Sequence, residues 1–326
     1  MTARIDTPQK PAIRRGERPP VVPRRPAGAS ISWRLRRSAT GYLFVLPAVA
    51  FLGALLAYPL ILNVVMSFQD RTIGNLIHGA TPWVGLDNYR SAFADPQFAA
   101  AAWHSIAYTL GAVAIQLILG LGLALLYVRA FPGARWMRSL YLTGYAIPIV
   151  VSAQVFRWLL DGRSGLADWL LHSAGLQDSP AYWLSDPRYA LPALILVQVW
   201  LGIPFTMVNL LSGLVAVPRE LHEAAALDGA RAWARFRYVT WPVLRPTFAA
   251  SAVLSAIFTF KSFDLVWIAT QGGPAGASDV LPTLAYRSVF LEFVFGKGAA
   301  ILNVVFLVLF VLALGYILAL RREERS

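Results

Sequence analysis

The sequence contains no cysteine. That excludes a disulfide framework, a thiolate zinc centre and an iron–sulfur cluster. Charge is also scarce: 14% of the 326 residues are Asp, Glu, Lys or Arg, against roughly 25% in an ordinary soluble domain. Hydrophobic residues make up 57%, more apolar surface than a water-soluble core can hide, so lipid is the second solvent. The four histidines (His78, His104, His172 and His222) are dispersed, and no metal site is expected. No nucleophile, base and orienting group fall together. Gly120-Leu121-Gly122 lies deep in an apolar run, and Phe295-Gly296-Lys297-Gly298 lacks the rest of a phosphate loop, so neither is read as a nucleotide site. The chain is expected not to be an enzyme.

The net charge of +12 is concentrated rather than spread. Residues 1–40 hold Arg4, Lys10, Arg14, Arg15, Arg18, Arg24, Arg25, Arg34, Arg36 and Arg37 against only Asp6 and Glu17, with six prolines among them. Such a composition cannot bury enough apolar surface to fold alone. Two readings stand for this cytoplasmic tail: a basic arm for an acidic partner, or a disordered segment held near anionic lipid. No nucleic-acid partner is expected. The apolar stretch after it is too long for a signal peptide.

Six segments have the length of a bilayer span, about 20 residues. They lie between Arg37 and Asp70, between Asp95 and Arg129, and at 139–160, 189–218, 246–270 and 298–320. His104 and Gln116 are the notable polar residues of the second. Arg157 interrupts the third, and Lys261 and Asp264 lie in the fifth. Backbone polar groups in lipid must be satisfied within the segment, which makes these helices; the short alternating stretches of a β-barrel are absent. The expected fold class is all-α transmembrane, with a six-helix domain over 41–320 and a short end at 321–326. Lys and Arg divide 21 to 6 between the two sides when both termini are cytoplasmic, which sets that orientation.

The polar stretch 217–246 is the most informative. Pro218 suits the first position of a helix, Glu220 and Glu223 suit its positive end, and Asp228–Gly229 reads as its stop. A second short helix is expected from Ala230 to about Thr240, with Trp233, Phe236 and Thr240 on one side and Arg231 and Arg235 on another, ended by Pro242 and Pro246. The pattern fits either a docking device at a membrane surface or a simple surface-lying connector.

Glu223-Ala224-Ala225, Asp228-Gly229-Ala230, Phe236, Pro242 and Pro246 resemble the EAA loop of ABC-importer permeases. Further motifs extend the likeness over nearly the whole chain beyond the tail: Tyr42 to Pro47, Tyr58-Pro59, Ser67-Phe68, Val84-Gly85-Leu86-Asp87-Asn88-Tyr89, Pro148, Trp200, Pro204, Phe263-Asp264 and Thr270-Gln271-Gly272-Gly273-Pro274. Together they resemble the binding-protein-dependent carbohydrate-uptake permeases of bacterial inner membranes, of the maltose permease's larger-subunit type. Gly144 departs from the proline of many relatives, and the large periplasmic insertion of the maltose protein is absent. The resemblance implies a type I importer fold and a partnership with a second permease, an ATPase dimer and an external solute-binding protein. ATP and Mg would be used by the ATPase, and this chain would bind no cofactor. Glu223, Ala224, Ala225, Asp228, Gly229, Ala230 and Phe236 would form the coupling helix and turn that dock on the ATPase.

Polar groups inside spans are costly and mark a pathway by default. Gly202 and Pro204 are expected to break the fourth span, a recurrent device at transporter sites. Ser255, Phe258, Thr259 and Ser262 share one face of the fifth. Hydroxyls, amides and aromatic faces suit a sugar. The resemblance extends the pocket to Gln198, Leu201, Gly202, Phe205, Ser255, Phe258, Thr259 and Ser262. Phe205 stands where the maltose protein has tyrosine, and Thr259 and Ser262 where it has asparagines. Ser and Thr can equally serve helix packing. Lys261 and Asp264 are expected to pair within one helix, the alternative being that Lys261 meets an anionic substrate. Arg157 is expected to snorkel. The implied function is sugar import, with glycerol-3-phosphate or another small solute as the alternative cargo. Two other classes stay open, an ion-coupled secondary transporter and a membrane scaffold.

Overall fold

The computed structural model describes residues 42, 44–79, 81–129 and 131–323. The basic tail 1–40 and the last three residues lie outside the described residues. Two units divide the chain, Met1–Tyr58 and Pro59–Ser326. Helix α1 (Phe44–Met66) is strongly apolar, has no buried position, and carries a π turn at Gly53–Ala57.

Twelve further helices follow among the described residues: α2 (Ile73–Ile77), α3 (Asp87–Ala94), α4 (Pro96–Tyr127), α5 (Ala134–Tyr145), α6 (Ile149–Leu159), α7 (Leu166–Ser173), α8 (Ala190–Val215), α9 (Arg219–Leu227), α10 (Ala232–Phe260), α11 (Asp264–Thr270), α12 (Leu281–Phe290) and α13 (Phe295–Glu323). Helices α1, α4, α8, α10 and α13 are each long and apolar enough to cross a membrane, and α5 with α6 makes a sixth, bent candidate.

The heart of the bundle is α4 against α8, joined by α10. Asp95 caps α4, accepting from Gln97 N at 2.9 Å, with Pro96 in the first turn. Small residues then let the two backbones approach. A Cβ on Gly120 would lie 2.9 Å from Thr206 Cβ and 3.2 Å from Met207 N, so the glycine serves packing. Met207, Leu210, Leu211 and Leu214 bury against Ala124 and Leu244.

At the Asp95 end the bundle is fastened by polar contacts. Asn88 Nδ2 donates to the carbonyls of Ser67 and Gln69 at 3.0 and 2.9 Å. Tyr89 Oη lies 2.8 Å from Ser67 Oγ and accepts from Asn303 at 3.0 Å. Lys297 Nζ pairs with Asp95 at 2.7 Å.

Four expectations are corrected. The segment 139–160 is not one helix: α5 and α6 meet at 96°. Pro148 takes an extended conformation (ψ 138°) as the N-cap of α6, because proline lacks an N–H and disfavours helix in the residue before it. The segment 189–218 does not break at Gly202 and Pro204; α8 runs through both, held by α4 and α10 on either side. Pro242 and Pro246 do not end the helix after the loop, which continues as α10. A π turn at Phe236–Thr240 bonds Trp241 N to Phe236 O, shifting the register where Pro242 offers no donor. Finally, α10 stops at Phe260 with Lys261 as its C-cap, and Asp264 opens α11.

Candidate functional site

A cavity of ≈ 500 Å³ lies where α4, α8, α10 and the α5–α6 bend converge. All eight residues proposed for a substrate line it: Gln198, Leu201, Gly202 and Phe205 from α8, and Ser255, Phe258, Thr259 and Ser262 from α10 and its end. The helical spacing seen in the sequence puts the Ser255 quartet on one face; the Gln198 quartet was implied by the resemblance. Gln116, Tyr145, Ile147, Ile149 and Phe263 also line it and were not anticipated. Gln116 had a signal, being a lone amide in a charge-free run. Tyr145 and Ile147 had none, since only the bend after Tyr145 brings them there.

The amides behind the cavity are tied together. Tyr108 Oη donates to Gln198 Oε1 at 3.0 Å, Gln198 Nε2 donates to Thr259 Oγ1 at 3.3 Å, and Gln116 Nε2 donates to the Gln198 carbonyl at 2.8 Å. This network joins α4, α8 and α10 and fixes the direction of the Gln198 amide. Gly202 leaves no room for a side chain, because a Cβ would collide with the Gln116 amide. The hydroxyl oxygens of Ser255 and Ser262 are buried behind the cavity surface.

Phe205 and Phe258 meet edge to face, centroids 5.9 Å apart, and Lys261 Nζ sits 4.9 Å over the Phe258 ring. Lys261 and Asp264 both line the cavity but form no ion pair. The expected intrahelical pair fails because the two residues stand on different helices. Arg157, in the last turn of α6, is exposed.

At the Tyr127 end stands the loop read as a coupling element. Helix α9 closes as the sequence predicts: Gly229 N donates to Ala226 O at 3.1 Å, and Ala230 N to Ala225 O at 2.9 Å, with Gly229 at φ +75°. That is a Schellman closure, and it calls for glycine or asparagine. Glu223, Ala224, Asp228 and Gly229 are exposed, while Ala225, Ala230 and Phe236 are half-buried. Phe236 stacks between Trp233 and Trp241, at 5.7 and 6.3 Å. Exposed Leu227 and Trp233 extend this surface; their signal was apolar side chains in an otherwise polar loop. A cleft of ≈ 340 Å³ separates the loop from the ends of α4 and α8.

Helices of membrane-spanning length, a cavity within the bundle lined by apolar, aromatic and a few polar side chains, and an exposed helical turn at one end define a subunit of a membrane transport system. Residues 116–323 match the family described as "Binding-protein-dependent transport system inner membrane component". The chain is 33% identical over 323 residues to the diacetylchitobiose uptake system permease protein DasB of Streptomyces coelicolor, covering 94% of this chain and 98% of that one. It is 30% identical over 279 residues to the trehalose/maltose transport system permease protein MalF of Thermococcus litoralis, covering 85% and 92%. Its fold is shared, at TM-score 0.77 and 21% identity over 90% of this chain and 99% of the other, with "a bacterial ABC transporter involved in the import of the acidic polysaccharide alginate". The chain belongs to the family of binding-protein-dependent inner-membrane transport components, and its fold is the all-α ABC-importer permease fold that the motifs implied.

Proposed function

We propose that this chain forms one half of the translocation pathway of an ATP-driven sugar importer. A second, homologous permease completes the channel. An ATPase dimer grips the Glu223–Ala230 turn of each half, and an external solute-binding protein delivers the sugar. ATP and Mg are handled by the ATPase, and this chain carries transport without catalysis. Both termini and the coupling loop face the cytoplasm, and the Asp95 end faces outward, in keeping with the Lys and Arg distribution.

One observation carries this reading. The helix that leaves the exposed turn is the same α10 that presents Ser255, Phe258 and Thr259 to the cavity. Movement of the turn by a partner therefore moves the cavity wall. Sugar as cargo is supported by the fixed amide and the aromatic faces of the lining, and by the named cargo of the two relatives. A second reading, a small anionic solute such as glycerol-3-phosphate, has Lys261 in its favour, a cavity-lining ammonium with no carboxylate partner among the described residues.

The test is uptake by the reconstituted importer, with diacetylchitobiose, trehalose, maltose and glycerol-3-phosphate as probes. Gly229→Val should assemble with the partner subunits yet lose ATP-dependent uptake of the transported probe. Uptake at the wild-type rate would remove the coupling role.

A further inference from the structure

A row of aromatic rings leads out of the cavity. Phe263 lines the cavity wall. Its neighbours are Trp267, centroids 5.7 Å apart with the planes at 18°, and Tyr286 at 4.9 Å. Trp267 and Tyr286 are 4.5 Å apart, and Tyr286 and Phe290 4.7 Å. The row crosses from α11 to α12 and ends at Phe290, four residues before Val294, which bridges Thr72 at the Asp95 end of the bundle.

Burial differs between the aromatic side of α12 and its opposite. The other side of α12, including Leu281, Leu284, Ala285 and Ser288, is buried. On the aromatic side Phe263, Trp267 and Tyr286 are only half-buried, and Phe290 is 57% exposed. Helix α12 thus spends its small and branched side chains on the core and leaves Tyr286 and Phe290 partly open, beside Phe263 and Trp267 of α11. Open ring faces beside the cavity have a chemical use. The negative face of an aromatic ring attracts positively polarised hydrogens, and the C–H face of a pyranose presents a patch of them. Such stacking ignores the hydroxyl pattern, so it holds a sugar without fixing it in one place.

We infer that Trp267, Tyr286 and Phe290 form a stacking track along which a saccharide passes between the Asp95 end and the cavity. The inference rests on the cargo being a sugar. The track supplies affinity along the route, and the cavity lining around Gln198 supplies selection at its end.

The experiment uses the assembled importer in proteoliposomes with its binding protein, and whichever of diacetylchitobiose, trehalose and maltose the wild type takes up. Trp267, Tyr286 and Phe290 are each changed to Ala, to Leu and to another aromatic residue (Trp267→Phe, Tyr286→Phe, Phe290→Tyr). Alanine and leucine variants that assemble should raise KM for uptake, or lower its rate, by about fivefold or more, and the aromatic variants should stay within about twofold. Leucine performing as well as an aromatic residue would reduce the row to packing and overturn the track, as would alanine variants transporting like wild type. Should Trp267→Ala fail to assemble, Phe290, the most exposed ring, decides. If the wild type takes up glycerol-3-phosphate and none of the sugars, the sugar reading falls and the track with it. Sugar uptake indifferent to all the substitutions removes the track alone.

Discussion

Two loops at opposite ends of the bundle are built on contrasting plans. Between α11 and α12, Asp279 is almost wholly buried and pairs with Arg287 at 3.0 Å. Thr283 donates to its carboxylate, Arg287 also donates to the Gln271 carbonyl, and Thr270 and Ser278 join hydroxyls at 2.7 Å. Gly272, at φ +80°, fills the last space, where a Cβ would lie 2.6 Å from Asp279 Oδ1. Burial pushes the Asp279 carboxyl above the usual carboxylate range despite the opposing charge of Arg287. The Glu223–Ala230 turn has one Schellman closure, no ion pair among the described residues, and Leu227 89% exposed. One loop is finished within its own chain. The other leaves Leu227 and several charged side chains exposed and unmatched among the described residues.

That contrast can be broken at either end. The largest effect is expected from Asp279→Ala, which removes the carboxylate partner of the Arg287 guanidinium. Breaking a buried pair costs about 3–5 kcal/mol, and Arg287 retains some water, so about 3 kcal/mol of stability should go. Thermal unfolding of the purified chain reads it, and a loss below about 1 kcal/mol would show that the pair does not hold this loop.

Substitutions at Gly229 should rank by backbone preference, because no atom lies within 4 Å of the Cβ position. Asn, which tolerates positive φ, should be nearly neutral, Ala should cost about 1 kcal/mol and Val more. The same unfolding assay checks the order, and an equal cost for Asn and Val would contradict it.

The smallest effect concerns acid. The Lys297 hydrogen bond and charge, with the Gln97 amide, hold the Asp95 carboxyl below its ordinary value of 3.8. Its contribution is therefore full above about pH 4 and is lost as pH falls through the lower folded value. The pair is partly solvated, so less than about 1 kcal/mol is at stake. Lys297→Met should flatten the acid limb of a stability–pH curve, and an unchanged limb would remove the pair from the account.

Much of this contrast was readable in advance. The Asp228–Gly229 stop was legible because a helix end needing positive φ selects glycine. The Ser255 quartet was legible because hydroxyl and aromatic residues recur at helical spacing in a run otherwise apolar, and the Gln198 quartet was visible only as a likeness. The bend after Tyr145, the end of α10 at Phe260 and the π turn were not, since each depends on which neighbours replace missing backbone bonds. The Asn88-Tyr89 motif was visible only as a likeness. Its work, fastening Ser67 to Asn303, needs residues 236 positions apart to meet. The Lys261–Asp264 pair was misread because three-residue spacing implies contact only when one helix carries both.

The unbroken run of α10 has a mechanical consequence. From Ala232 to Ser255 is roughly 35 Å of helix at 1.5 Å per residue. Treated as a lever pivoting near its loop end, it shifts Ser255 by roughly 0.6 Å for each degree of tilt. A rocking of a few degrees is then enough to shift this part of the cavity wall by roughly 2 Å. The π turn at Phe236–Thr240 sits close to the handle, where a bend has most of the arm to act over and so changes the stroke most.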